Sequence, residues 1–167
     1  MFRLSTLLLL CAVTMIISCK SFRQSPPKTA KGTIGDAKIS IQYGSPSVKG
    51  RTIFGELLPY GQVWRTGANE ATTIAFSSNV NIEGQNLPAG KYSLFTIPGT
   101  DQWTIIFNKV WDQWGAYEYN EAEDALRVQV TPKDTGELVE DMTFSVENGQ
   151  VMLSWEKTTV SFSVAAR

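Results

Sequence analysis

The sequence contains no histidine. That excludes a Ser-His-Asp triad, a Cys-His pair and imidazole metal ligands. Cysteine is nearly as scarce: Cys11 and Cys19 are the only two, and both lie near the start of the chain. A domain beginning near residue 30 would have no disulfide, no thiol nucleophile and no thiolate metal site. Catalysis, if any, would have to use carboxylates, Lys, Arg, Tyr, Ser or Thr. A metal would have to be a hard cation on oxygen ligands. Charge is also sparse. The net charge is −1 and there is no long basic run, so nucleic acid is not an expected partner. No long amphipathic helical pattern occurs, and no internal repeat.

What is present points outward from the cytoplasm. Arg3 gives the chain a positive start, and Leu4 to Ile17 is an apolar-type stretch of 14 residues. A membrane-spanning helix needs roughly 20, so the stretch reads as an export signal. Ile16-Ile17-Ser18-Cys19 resembles a bacterial lipobox, although Ile17 is larger than the usual residue there. Cys11 follows the bulky Leu10 and fits less well. The plainer alternative is a signal peptide cleaved elsewhere, with Cys19 incidental. The expected layout is a lipoprotein signal over residues 1–18, a lipidated tether over 19–31 and one domain over 32–167. The expected partner of Cys19 is a membrane, reached through its lipid.

The domain reads as strands. Side chains in a strand alternate faces. In Lys91 to Asn108, Tyr92, Leu94 and Thr96 share one side. After the Pro98-Gly99 turn, Trp103, Ile105 and Phe107 share another. Alternation recurs at Ile39, Ile41 and Tyr43, at Leu126, Val128 and Val130, and at Met142, Phe144 and Val146. It returns at Val151, Leu153 and Trp155, and at Val160, Phe162 and Val164. Asn148-Gly149 is a strong turn signal. Lys133 to Leu138 reads as loop, and Asn120 to Ala125 as one helical turn. The fold predicted is all-β, an antiparallel, jelly-roll-like β-sandwich of roughly nine short strands.

These residues also carry a resemblance. The motifs SPSVKGR, VWRTGAN, LPAGKYSLFTIPG and QWGAY, spread over about residues 35 to 165, are similar to the bacterial family known as domain of unknown function 2911. The resemblance implies an exported, all-β domain, mostly from Bacteroidota. It implies no activity and no catalytic residues.

Two groups of residues could form a site. Trp64, Arg65, Asn69 and Glu70 place an aromatic ring, a cationic fork, an amide and a carboxylate within seven residues, with Gly67 allowing close backbone approach. The structural alternative is an Arg65–Glu70 pair with Asn69 capping a turn. Trp111, Trp114 and Tyr117 sit in a Gly-containing loop and could stack on sugar faces. They could equally close one end of the sandwich. Trp103 alternates into the core and is discounted. Ser45, Ser47, Lys49 and Arg51 form a third group, in which a Ser-Lys pair would need a desolvated lysine. The acids Glu118, Glu121, Glu123 and Asp124 match no calcium loop. No metal site and no cofactor are expected. The leading functional reading is a non-catalytic binding module for carbohydrate or a cell-envelope component. The alternatives are a hydrolase using carboxylates or a Ser-Lys pair, and a structural protein-interaction domain.

Overall fold

The computed structural model describes residues 23–167. The expectations for the leader and for Cys19 lie outside the described residues. Ten strands form two antiparallel sheets. The larger sheet has the order β1 (Pro27–Ile34), β2 (Ala37–Gly44), β3 (Thr73–Phe76), β6 (Gly90–Ile97), β7 (Trp103–Asn108), β8 (Asp124–Val130). The smaller has the order β5 (Gln85–Leu87), β4 (Val80–Ile82), β10 (Gln150–Ala166), β9 (Lys133–Glu147). The β4–β5 hairpin crosses to the second sheet, which leaves β3 to pair with β6.

The alternating apolar residues meet between the sheets. Ile39, Ile41, Ile74, Leu94, Trp103, Ile105, Phe107 and Val128 from the first sheet face Phe144, Leu153, Trp155, Phe162 and Val164 from the second. Phe54, Trp64, Trp103 and Trp155 form an aromatic cluster at the centre, with ring centroids 4.9–6.5 Å apart. Ile53 is fully buried and Phe54 packs on the core, so the apolar stretch after the Gly-Pro-Ser loop is a plug.

Three expectations need correction. The sheet begins inside the stretch expected as tether, because β1 starts at Pro27. Only Ala30 and Ile34 of its side chains pack on the core, and its place comes largely from backbone pairing with β2, a signal that hydrophobic alternation does not carry. Lys133 to Leu138 is strand rather than loop. It belongs to β9, and the last two predicted strands are a single strand, β10. Register shifts around Glu156, whose φ is 57°, keep this long hairpin paired. Gly99, in the turn between β6 and β7, is not at positive φ. A Cβ there would lie 2.3 Å from the Gln102 carbonyl oxygen, so glycine is needed for closeness instead.

The outer face of the larger sheet is also covered. Phe95 and Ile106 are fully buried there beneath Val63, Ala116 and Tyr119. Two long loops, over residues 45–72 and 109–119, supply that cover and build the site.

Candidate functional site

The first loop is held by its own backbone. Gly44 carries the chain so close to the loop that an added Cβ would lie 2.2 Å from the Ala68 carbonyl oxygen. Thr66 is buried with φ 53°, which is rare for a β-branched residue. Its Oγ1 donates to the Trp64 carbonyl at 3.3 Å, and Thr72 Oγ1 donates to the Thr66 carbonyl at 2.8 Å. Asn69 also sits in the left-handed region, at φ 68°, which Asn tolerates well. The VWRTGAN motif is therefore a tightly bonded turn first.

The second loop hangs from Asn108, which is fully buried at the irregularity between β7 and β8. Asn108 Nδ2 donates to the Asn120 carbonyl at 2.9 Å and to Asp124 Oδ1 at 2.8 Å. Its Oδ1 accepts from the Val110 N–H at 3.0 Å. The Val110 carbonyl in turn accepts from Ser93 Oγ and from Gln113 Nε2. The two loops join where the Ala71 N–H donates to the Gln113 carbonyl and Glu70 bridges to Trp114.

The sequence-predicted site residues do not converge on one concavity. Trp64 is 7% exposed, stacks on Trp155 and donates from Nε1 to the Gly67 carbonyl at 3.1 Å, so it belongs to the core. Asn69, Glu70 and Trp111 line one groove of about 380 Å³ between the second loop and the outer face of β1, β2 and β3. Arg65 and Tyr117 line a second groove of about 350 Å³ beside Leu57 and Val63. Trp114 and Tyr117 flank a shallower one with Glu70 and Glu118.

The first groove gathers the richest chemistry. Trp111 is 44% exposed, with Lys91 Nζ 3.9 Å from its ring centroid. That cation–π contact restrains the ring by about 0.5–1 kcal/mol at an exposed site. Glu70 pairs with Arg23 at 2.7 Å, not with Arg65. Burial opposes the charge on Glu70, but its own backbone N–H and the Arg23 guanidinium outweigh burial and hold the carboxyl below its usual range. Asn69 Nδ2 donates to the Ser25 carbonyl at 3.2 Å. Gln113 is 7% exposed and lines the same groove. Its Oε1 is buried with no donor among the described residues. Sequence reasoning missed Gln113, although it lies between the two tryptophans it singled out. It also missed Gln42 and Thr73, which outward alternation on β2 and β3 could have found.

The third group does not form a nucleophilic pair. Ser45 Oγ donates to the Met142 carbonyl and Ser47 Oγ to Asp141, while Lys49 is exposed. Among the acids, Asp124 is occupied by Arg127, Tyr119 and Asn108.

Residues 25–164 match the family described as Protein of unknown function (DUF2911). The chain belongs to the DUF2911 family. No curated protein and no solved structure matches it. The match takes in both sheets of the DUF2911 domain and both site loops, and begins just before β1.

Proposed function

We propose that this DUF2911 domain is a non-catalytic binding module for carbohydrate or another cell-envelope component. It would be exported and held at the outer membrane by lipid on Cys19. One observation carries the binding reading. Gln113 Oε1 is a buried acceptor lacking a donor, in the groove whose wall is the half-exposed Trp111 ring. Buried polar groups are normally hydrogen-bonded, so an orphan acceptor on a residue that lines a groove calls for a donor, which a sugar hydroxyl supplies if the amide turns towards the groove. Asn69, Gln42 and Thr73 add further donors and acceptors around it. An aromatic face with flanking amides suits a pyranose ring, whose C–H edge stacks and whose hydroxyls pair.

The test is a titration of the purified protein with a panel of neutral glycans and muropeptides, read by tryptophan fluorescence. A binder should lose its signal in Trp111→Ala. Gln113→Ala should bind roughly tenfold more weakly, the equivalent of one lost hydrogen bond of about 1.4 kcal/mol. No response across the panel would remove the carbohydrate reading. Trp114 at 56% and Tyr117 at 83% exposure favour a second reading, a protein-interaction domain. Unchanged glycan titrations with a protein cross-linked through the Trp114–Tyr117 surface would favour that instead.

A further inference from the structure

We propose that the domain carries a second site, for an oxyanion, at the end of the sandwich where the SPSVKGR and VWRTGAN segments meet. A cavity of about 430 Å³ opens there. Lys49, Arg51 and Arg65 line it, and no carboxylate among the described residues does. The acids hydrogen-bonded to its lining residues stand outside it: Asp141 accepts from Ser47 Oγ at 2.6 Å and Glu140 from the Lys49 N–H at 2.9 Å, and neither lines the cavity. Three like charges around one concavity repel each other unless an anion enters, and the cost is greater in a walled site than in open water.

A second, independent observation points the same way. Arg65 Nε and Trp155 Nε1 are both buried hydrogen-bond donors with no acceptor among the described residues. Both side chains line this cavity, and Trp155 is only 2% exposed. Neither group can accept a hydrogen bond, so the missing partner must be an acceptor. Arg65 makes no ion pair among the described residues. Arg51 is different. Its Nε and one terminal nitrogen donate to the Val48 and Ser47 carbonyls, which fixes the guanidinium at the rim. The arrangement is thus a positioned cation at Arg51, an exposed one at Lys49, and two unpartnered donors, Arg65 Nε and Trp155 Nε1, on residues that line the cavity. A phosphate or carboxylate has the oxygens to satisfy these donors, and Arg suits either by bidentate pairing. Trp64, Leu57 and Leu58 add apolar wall. The site would therefore take the anionic group of a larger molecule with an apolar or ring body. This assignment does not rest on the carbohydrate reading, since the groove beside Trp111 shares no lining residue with this cavity.

The experiment uses the indole N–H signals of the five tryptophans in ¹H–¹⁵N spectra of the full chain, with Trp155→Phe giving the assignment. Inorganic phosphate and acetate are titrated separately, against sodium chloride at matched ionic strength. The Trp155 signal should move saturably with phosphate, acetate or both, with Kd on the order of 1 mM, and not with chloride. The arm with the lower Kd names the oxyanion. Arg65→Gln should weaken binding at least tenfold. Lys49→Gln, at an exposed position, should weaken it several-fold with the fold intact. Trp111→Ala should leave it unchanged. A Trp155 signal that fails to move with either anion would overturn the proposal. So would an unaltered titration in Lys49→Gln together with Arg65→Lys, a pair that keeps the question open to test if Arg65→Gln does not fold.

Discussion

Single residues decide how closely the parts of this molecule approach. At Gly44 the backbone of β2 passes the 64–72 turn with no room for a methyl group. The opposing atom is a carbonyl oxygen, which a rotamer change cannot move. Gly44→Ala should therefore destabilise the protein by about 1–3 kcal/mol, readable as a lower midpoint in urea with an unchanged slope. Tyr119 makes a second prediction. Burial, reinforced by its hydrogen bond to Asp124, pushes its phenol up to about 12, from an ordinary value of 10.0. Tyr92 is pushed up by burial as well. A raised folded-state pKa means that the folded protein holds its proton more tightly than the unfolded chain does. The associated stability is complete below about pH 10 and is lost as pH rises towards 12. Phenolate absorbance should show late titration of Tyr92 and Tyr119. Tyr119→Phe should flatten the alkaline fall in stability, and an unchanged alkaline profile would contradict the assignment.

At the scale of an element, the 109–119 loop is the part most dependent on tertiary bonding. It covers Phe95 and Ile106, yet much of its own surface is exposed, including Trp111, Trp114 and Tyr117. Its order comes from the buried amide of Asn108, which binds both ends of the loop. Asn108→Ala removes three hydrogen bonds, and leaves the Asn120 carbonyl with only the Glu123 N–H as donor. A loss of about 2–4 kcal/mol is expected, with new protease cleavage between residues 109 and 119. Cleavage elsewhere, or none, would show that the loop is held by packing alone. The element was legible in the sequence as an aromatic-rich, Gly-containing loop. Its anchor was not, because Asn108 looks like an ordinary outward residue at the end of a strand. Only the pairing of β7 with both β6 and β8 buries it.

For the whole molecule, the striking consequence of the β1 assignment is geometric, and it bears on anchoring. Arg23 is paired with Glu70, and Ser25 and Pro26 accept hydrogen bonds from Asn69 and Ser45. Three residues separate Arg23 from Cys19. Spanning that gap reaches at most about 14 Å in extended chain. If Cys19 bears lipid as proposed, the groove lined by Trp111 and Gln113 stands close to the bilayer surface rather than on a long tether. Cys19→Ala should move the protein from the membrane to the soluble fraction and abolish incorporation of labelled fatty acid. Unchanged fractionation would remove the anchor from the proposal and leave the groove where it is.

The two-residue period of the apolar side chains determined the all-β architecture by itself. An alternating sequence can bury one face only as a pleated strand, and Phe95, Phe107, Val128 and Phe144 are buried as that requires. The lack of histidine, and of cysteine after residue 19, likewise removed whole classes of chemistry from the domain without any structure. The tertiary structure decided the rest. It placed Trp64 in the core, gave Glu70 to Arg23, and divided Arg65 from Asn69 although four positions separate them. The reason is physical. A turn with left-handed residues at Thr66 and Asn69 breaks the alternation of neighbouring side chains, so Arg65 and Asn69 line different grooves, and no periodic signal encodes that.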